Sequence, residues 1–459
     1  MADDDKAKLY KRIVQQTPEG VLLPRMRTHG FWPAKQGVPA DPPDEAAERA
    51  RIEQELTELQ RAQSAVKNPE QALAAERKRR WEESKKRRAE NKAKRATEQK
   101  RRREAYAAFR KNNIVHVGAG VSARLQEKES DVAELTRREL PILHDGNDAA
   151  KAMGITLSAL RWLTYHRRGA TLVHYHRYAI AKKTGGLRSI SAPKPALAQA
   201  QQWVLANILA KLATEPEAHG FVPGRSILTN AAPHVNRAVV ANLDLKDFFP
   251  SITFRRVQGL FRKLGYSGHV ATLLGLLCTE PPRVPAELDG KVYFVALGER
   301  VLPQGACTSP AVTNALCRRL DRRLAGLAGK HGFHYTRYAD DLTFSGDNVG
   351  KMGHVLRNVR HILTKEGFTL HPTKTRLMRR ANRQEVTGVT VNVRPSVARE
   401  EVRILRAILH NAAKHGLESQ NREQRPNFAA YLAGRVEFVC MVDPQRAPAL
   451  RAALAQALQ

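Results

Sequence analysis

Three aspartates in this chain have the types and spacing of a metal-binding site. Asp340 and Asp341 are adjacent in GFHYTRYADDLTFSGDN, and Asp244 ends the apolar stretch VVANLD about a hundred residues earlier. Adjacent carboxylates repel each other, so the pair needs an explanation. One explanation is a polar turn, where Asp is common. The other is a pair of divalent ions, since carboxylate oxygens suit Mg²⁺, and two bridged ions activate a hydroxyl and hold a leaving pyrophosphate.

The segments around these aspartates are predicted to be neighbouring strands. VVANLD is predicted to be a buried strand, and HYTRYADDLTFSG a hairpin with the Asp pair at its tip. Side by side, these strands would bring Asp244 to the pair. YHRYAIAKKTGGLRSISAPK is predicted to be a second hairpin, and SALRWLTYHR and LAQAQQWVLANILAKLA are predicted to be helices. After Arg394-Pro395 the chain is predicted to be helical, except around Pro426. The fold class is therefore α+β.

The composition indicates a polyanionic partner. The net charge is +32, and the excess is +9 in residues 1–140 and +23 in residues 141–459. The part expected to fold compactly is thus basic itself, which favours nucleic acid. No apolar run is long enough to span a membrane, and no signal peptide or lipidation motif is visible. The cysteines, Cys278, Cys307, Cys317 and Cys440, form no C-x-x-C pair. They are expected to be buried free thiols in a cytoplasmic protein.

The N-terminal part differs from the rest. Residues 1–43 are predicted to be irregular, and residues 44–139 a basic helical extension. Between Arg77 and Lys111 there are 17 basic and 5 acidic side chains. Such a helix can be a solvated one stabilised by i,i+4 pairs, or an arm lying along a phosphate backbone. We favour contact with RNA or DNA. Coiled-coil dimerisation is the weaker alternative, because the basic half lacks apolar a and d positions.

Four motifs in order resemble the palm motifs of the reverse transcriptases. They are NLDLKDFFPSI, LPQGACTSPAVTNALCRRLD, YADD and GFTLHPTKTRLM. Upstream, AIAKKTGGLRSISAPK resembles the fingers hairpin and HGFVPGRSILTNAAPHV the segment between fingers and palm. The resemblance covers about residues 140–459. It implies a fingers–palm–thumb core with an antiparallel-sheet palm: fingers and the start of the palm in 140–240, palm in 241–393, and helical thumb in 394–459.

Two shorter elements resemble the retron members of that family. Asn230-Ala231-Ala232-Pro233-His234 fits an N-A-x-x-H element, and Val386-Thr387-Gly388 fits a V-T-G triplet. The resemblance implies that Asn230, His234, Val386, Thr387 and Gly388 recognise the cognate RNA. The alternatives are a structural role for His234 and a simple turn at Gly388.

The resemblance also assigns roles around the aspartates. Asp244, Asp340 and Asp341 would be the catalytic metal ligands, with the Leu245 carbonyl as a further ligand. The ions would be two Mg²⁺, with Mn²⁺ as a substitute. The side chains implied to bind the dNTP are Lys182, Arg188, Asp247, Phe249, Gln304 and Lys374.

For several of these residues the sequence leaves a structural alternative open, and for others the resemblance implies a specific role in nucleotide binding. Lys183 is an equal candidate beside Lys182, and Asp247 can instead cap a helix. In the family, an aromatic side chain at the position of Phe249 stacks under the sugar and excludes a 2′-hydroxyl; the alternative is a core Phe. Gly305, next to Gln304, would let the backbone approach the base pair. Lys374 would give a proton to pyrophosphate, or is simple surface charge.

The prediction is an RNA-directed DNA polymerase of a retron. It would copy a cognate structured non-coding RNA into a branched RNA-linked DNA (msDNA), primed from the 2′-hydroxyl of an internal guanosine, in phage defence. Expected partners are that RNA and its cDNA, dNTPs, host ribonuclease H, since no such domain is visible, and a retron effector protein. No membrane partner is expected. The rivals are another bacterial reverse transcriptase (group II intron-like, diversity-generating or abortive-infection type) and a non-catalytic RNA-binding protein.

Overall fold

The computed structural model describes residues 24–35, 43–65, 69–181 and 185–459. The chain divides into two compact units, Met1–Arg103 and Glu104–Gln459. Ile114, Val117 and Leu125 are buried in the main core of the second unit. The structural boundary therefore lies earlier in the chain than the boundary drawn from composition at residue 139. Most of 1–43 lies outside the described residues, but residues 24–28 are helical where an irregular segment was predicted.

Two charged helices follow, as the sequence predicted. They are α1 (Pro43–Ala65) and α2 (Pro69–Asn112). Strong helix formers and the absence of interior Gly or Pro explain their length. Along α2 the described side chains are exposed or half-buried and form pairs such as Arg80–Glu76 and Arg102–Glu98. Such exposed pairs stabilise the helix only slightly.

The second unit alternates helices and strands. Its helices are α3 (Val132–Arg137), α4 (Gly146–Ala152), α5 (Leu157–Thr164), α6 (Pro195–Asn207), α7 (Ile227–Ala231), α8 (Phe254–Lys263), α9 (Gly268–Cys278), α10 (Ser309–Lys330), α11 (Met352–Lys365), α12 (Arg399–His415), α13 (Phe428–Val442) and α14 (Ala447–Ala457). Its strands are β1 (Gly169–Ala170), β2 (Tyr175–Ala181), β3 (Leu187–Pro193), β4 (Val239–Asp244), β5 (Arg283–Leu288), β6 (Lys291–Ala296), β7 (Phe333–Tyr338), β8 (Asp341–Gly346), β9 (Arg376–Arg379), β10 (Glu385–Val386) and β11 (Val389–Thr390). The predicted hairpins and the helices α5, α6 and α12–α14 are confirmed.

A four-stranded antiparallel sheet in the order β7-β8-β4-β9 carries the aspartates. On β4, Val239, Ala241 and Leu243 belong to the main core together with side chains of α10 and α11. Val240 points to the other face, where it joins a second core built by α12–α14. Because both faces of β4 are covered, its sequence is mostly apolar, with Asn242 as the exception before the final aspartate.

Smaller sheets lie outside this centre. β2 and β3 form the hairpin expected for the fingers, β10 and β11 form a short hairpin, and β1-β6-β5 form a three-stranded sheet that the sequence did not predict. The four cysteines are free, and Cys307 alone among them is not fully buried. Among the described helices, none is long and apolar enough to cross a membrane.

Candidate active site

The three aspartates meet at one end of the central sheet. Asp244, the last residue of β4, is the register partner of Asp341, the first residue of β8. Residues directly opposite in antiparallel strands have Cβ atoms about 5 Å apart. Tyr338 and Asp341 close the β7–β8 hairpin and leave Ala339 and Asp340 as its two turn residues. The adjacency predicted from the motif order is therefore present in the fold.

The turn itself has an unusual backbone. Ala339 is buried and has φ +56°, in the left-handed region that favours glycine. A positive φ at the first central residue matches a type II′ hairpin turn, which commonly has Gly there. The Leu245 N–H donates to the Asp340 carbonyl at 3.0 Å, which ties the turn to the end of β4. An alanine in this conformation needs support from its surroundings.

Negative charge is concentrated at this point. Burial raises the pKa of Asp340, and Asp244 adds to the shift, while Lys374 and Arg188 oppose it. Desolvation, then repulsion from Asp340 and Asp244, raises the pKa of Asp341 to about 6, although its side chain still reaches solvent. The two pKa shifts record burial first, and then carboxylates that lie close together without enough compensating positive charge.

Lys374 supplies part of that compensation. Its Nζ lies 3.1 Å from both carboxylate oxygens of Asp244. The predicted fourth-motif lysine is thus brought to the aspartates rather than left as unrelated surface charge. The ammonium is half exposed, so it can move away from the carboxylate without unfolding its surroundings.

The donor set suits a divalent cation. In the stretches that the structure describes, no three His, Cys, Asp or Glu side chains already converge tightly enough to hold an ion. The Asp244, Asp340 and Asp341 carboxylates are nevertheless hard oxygen donors with charge to be neutralised. No backbone N–H among the described residues donates to the Leu245 carbonyl, which leaves that oxygen free for the same purpose. The three carboxylates and the Leu245 carbonyl fit Mg²⁺ or Mn²⁺, which would take the place of the Lys374 ammonium at Asp244.

The two adjacent phenylalanines have different environments. Phe248 is buried, and its ring centroid lies 5.7 Å from that of Phe368. Phe249 is half-buried beside it and packs against the edge of the main core. Asp247 is exposed with φ +48°, and its carbonyl accepts from Ser251 in a turn. The next helix begins later, at Phe254, so Asp247 is not its cap.

The fingers hairpin contacts the second motif. Arg188 lies on β3 and is close enough to Asp340 to lower its pKa. Lys182 and Lys183 lie outside the described residues. The Ser191 N–H donates to the Gln304 carbonyl at 2.7 Å. A Cβ on Gly305, which has φ +119°, would lie 2.9 Å from Ile190 Cγ2 and 3.0 Å from the Ser191 carbonyl oxygen. The close approach that requires glycine in this structure is to β3, and the approach to a base pair that the sequence suggested stays a prediction.

The residues expected to recognise RNA separate into two groups. Asn230, His234 and Val386 are buried, so their side chains are not available to RNA in this structure, contrary to expectation. The His234 ring hydrogen-bonds the Ser345 and Thr336 hydroxyls at 2.7 and 2.8 Å, and desolvation lowers its pKa to about 3. This is the structural histidine that the sequence left as the alternative.

Thr387 and Gly388 form the exposed part of this region. They are the turn residues of the β10–β11 hairpin, with φ +46° and +82°. Gly388 is exposed and Thr387 is half-buried. The hairpin turn is therefore the part of the triplet that an RNA can reach.

A buried ionic group behind the turn was missed by the sequence analysis. Arg337, on β7, forms two hydrogen bonds to Asp321 on α10. Tyr335 also donates to Asp321, and Asn314 accepts from Arg337. The one signal available in the sequence was an arginine inside the first strand of the predicted hairpin.

Comparisons with known proteins agree with this geometry. A family model described as reverse transcriptase (RNA-dependent DNA polymerase) matches residues 180–409. The retron Mx162 reverse transcriptase of Myxococcus xanthus is 43% identical over 379 residues, covering 77% of this chain and 76% of the relative. The retron Mx65 reverse transcriptase of the same organism is 47% identical over 326 residues, covering 71% and 75%.

A solved foamy viral protease-reverse transcriptase in complex with double-stranded DNA aligns with 63% of this chain and 45% of its own. Its TM-score is 0.34 at 16% identity, too low to support an argument. The family model and the relatives confirm the expected fold class and the RNA template partner. The chain therefore belongs to the bacterial retron reverse transcriptases, and it is an RNA-directed DNA polymerase.

Proposed function

We propose that this reverse transcriptase copies a cognate structured non-coding RNA into msDNA, a branched single-stranded DNA linked to RNA. The reaction is attack of a hydroxyl on the α-phosphate of a dNTP, with departure of pyrophosphate. The first hydroxyl is the 2′-hydroxyl of an internal guanosine. The observation that carries the proposal is the register pairing of Asp244 with Asp341, with Asp340 in the adjoining turn.

The aspartates are proposed to hold two Mg²⁺ ions, or Mn²⁺, together with the Leu245 carbonyl. When bound, the ions supply charge neutralisation at the attacking and leaving oxygens. The raised pKa of Asp341 supports this assignment, because a crowded carboxylate gains most from a nearby cation. The Lys374 ammonium contacts the Asp244 carboxylate in this structure. We propose that Lys374 also donates a proton to the departing pyrophosphate.

Other side chains are proposed to position the nucleotide. Arg188 offers a planar guanidinium for the triphosphate, and its effect on Asp340 supports its nearness to the aspartates. Phe249, which is only half-buried, is proposed to stack under the sugar and exclude a 2′-hydroxyl. Gln304 and Asp247 are proposed contacts to the incoming nucleotide, as is Lys182, which lies outside the described residues.

The RNA is proposed to contact the exposed Thr387-Gly388 turn and the basic helix α2. The +12 balance between Arg77 and Lys111 supports contact with phosphates. We propose phage defence as the biological role, with host ribonuclease H removing template RNA and an effector protein as a further partner. These partners are inferred from retron membership.

The test is the nucleic acid that co-purifies with the enzyme. The protein is expressed with its upstream non-coding region as wild type, Asp340→Asn, Asp341→Asn and Asp347→Asn. Asp347 lies beyond the other end of β8 and pairs with Arg237, so Asp347→Asn is the matched control. We expect RNA-linked DNA, sensitive to a 2′–5′ debranching enzyme, from the wild type and the control only. DNA that appears equally in the Asp340→Asn sample, or no branched DNA in any sample, would contradict the proposal.

A further inference from the structure

We propose that a buried group of Arg337, Asp321, Asn314 and Gly220 positions the catalytic turn without touching substrate. We name it the turn support. The inference rests on the proposed role of Asp340 and Asp341 as catalytic carboxylates. It assigns a role to residues that are neither proposed metal ligands nor proposed nucleotide contacts, and it explains how an alanine holds a left-handed backbone directly before Asp340.

The centre of the turn support is an ion pair. Arg337 Nε and Nη2 donate to the two carboxylate oxygens of Asp321 at 2.8 and 2.7 Å. Both side chains are essentially inaccessible to solvent, at 0% and 1% exposure. Tyr335 Oη also donates to Asp321, at 2.9 Å. A buried ion pair rarely adds stability over a well-packed apolar pair, so its presence here calls for a purpose other than stability.

The remaining nitrogen of Arg337 faces the turn. Its Nη1 donates to Asn314 Oδ1 at 3.0 Å and lies 3.4 Å from the Ala339 carbonyl oxygen. Asn314 lies on the same face of α10 as Asp321, about two turns earlier, and its Nδ2 donates to the Gly220 carbonyl at 3.0 Å. One guanidinium thus connects α10 to the backbone of the residue that precedes Asp340.

The segment containing Gly220 packs against both β7 and the turn. It runs alongside β7: the Arg337 N–H donates to the Glu217 carbonyl at 2.7 Å, and the His219 N–H donates to the Arg337 carbonyl at 2.8 Å. A Cβ on Gly220 would lie only 2.5 Å from the Ala339 nitrogen. Gly220 is therefore required for the backbone of this segment to lie against the turn.

The turn is held on two sides. Arg337 and Gly220 contact Ala339 from inside the protein, and Leu245 donates to Asp340 from the end of β4. If the inner side loosens, Ala339 can leave its left-handed conformation and the Asp340 carboxylate moves with it. A displacement of this kind affects the chemical step more than nucleotide binding, because it changes the position of reacting groups.

The test uses Asn314→Ala, which removes the link to Gly220 but leaves the Arg337–Asp321 pair. The control is Gln258→Ala, which removes a 2.6 Å hydrogen bond to Thr272 between α8 and α9, away from the turn. Steady-state kinetics with dTTP on oligo(dT)-primed poly(rA), a Mg²⁺ titration and thermal unfolding are measured for both. We expect Asn314→Ala to lower kcat about tenfold and to raise the half-saturating Mg²⁺ concentration, with the KM for dTTP within about twofold. Gln258→Ala should keep both kinetic constants.

A second variant tests the conformation of the turn directly. Glycine adopts a positive φ without strain, so Ala339→Gly added to Asn314→Ala should restore part of kcat. Wild-type kcat in a folded Asn314→Ala enzyme, or an equal kcat loss in Gln258→Ala, would overturn the inference. Asp340→Asn measured alongside distinguishes the two claims: if it is inactive while Asn314→Ala is normal, the turn support alone is refuted. If Asp340→Asn is active, the proposed function itself fails.

Discussion

The Asn230 amide donates to the Thr387 hydroxyl at 3.3 Å and so joins two segments 157 residues apart in the chain. These segments are the N-A-x-x-H element and the V-T-G triplet. The Thr387 hydroxyl also lies 3.5 Å from the Ile227 carbonyl oxygen, at the start of α7. The two elements that resemble retron enzymes are thus one structural unit, in which Asn230 holds the base of the exposed turn at Gly388.

Replacing Asn230 should test this unit. We expect Asn230→Ala to lower the free energy of unfolding by about 1 kcal/mol, because the variant lacks a partly buried hydrogen bond. It should also weaken binding of the cognate RNA while leaving kcat on primed poly(rA) unchanged, since the aspartates are not involved. Filter binding and thermal unfolding measure the two effects. RNA affinity equal to that of wild type, at reduced stability, would mean that the unit only supports the fold.

Lys374 and a divalent ion should compete for Asp244. In Lys374→Met the ammonium no longer neutralises that carboxylate, so the half-saturating Mg²⁺ concentration should fall. At the same time kcat should fall about 100-fold if Lys374 protonates the leaving pyrophosphate. Primer extension across a Mg²⁺ titration measures both. A variant that needs more Mg²⁺, with unchanged kcat, would refute both roles of the lysine.

Gly305 should not tolerate a side chain. Gly305→Ala places a Cβ against Ile190 and Ser191 at φ +119°, so the Ser191–Gln304 hydrogen bond should break and Gln304 should shift. We expect the KM for dNTP to rise about tenfold or more. Gly298→Ala is the control, because its Cβ would meet nothing within 4 Å and its φ is not positive. Equal kinetics for the two variants would show that the contact with β3 does not position Gln304.

Protonation of His234 should destabilise the fold. Its pKa is about 3 in the folded protein, against an ordinary value of 6.5, because burial disfavours the charged ring. The unfolded chain therefore binds a proton first as pH falls below about 6.5, and stability is lost from there downward. Each fully titrating histidine contributes about 1.4 kcal/mol per pH unit.

The measurement is urea unfolding of wild type and His234→Gln between pH 7 and pH 5. His166 and His219, each with a pKa lowered to about 4 by desolvation, add to the slope in both proteins. We expect the slope of unfolding free energy against pH to be smaller in His234→Gln by about 1 kcal/mol per unit. Identical slopes would mean that His234 does not stay neutral in the folded state.

The basic helix α2 should contribute to the salt dependence of RNA binding. Changing Lys85, Lys86, Arg87 and Arg88 to Gln removes four exposed charges from the helix. For single-stranded RNA, removing one contact to a phosphate should reduce the slope of log affinity against log salt by about 0.7. Exchanging Lys for Arg and Arg for Lys at the same positions is the control. If the Gln variant keeps the wild-type slope, these four residues do not contact phosphate.

Local patterns predicted the parts of the site that depend on neighbouring sequence. The apolar run before Asp244 and the hairpin around Asp340 predicted the two strands, and the order of the motifs predicted that the aspartates meet. The burial of His234 depends on strands more than a hundred residues away, and no local pattern indicates it. The same is true of the Arg337–Asp321 pair, which joins a strand to a preceding helix.

The boundaries and small sheets were harder to predict for a similar reason. Ile114 and Val117 follow a long polar helix, so composition placed them in the extension, whereas they pack into the main core. The β5–β6 hairpin is largely exposed and has weak alternation, so its strands were missed. Gly305 was correctly singled out for close approach, but the partner, β3, could be found only from the packing.

The most direct test of the central claim is single-nucleotide incorporation by Asp341→Asn on a primed RNA template, with Asp347→Asn as control. We expect no extended primer from Asp341→Asn at any Mg²⁺ concentration, and wild-type extension from the control. Both proteins should bind the primed template equally, because the role proposed for Asp341 is to hold metal and not to contact RNA. Extension by Asp341→Asn at a rate near that of the control would contradict the assignment of these aspartates as the catalytic centre.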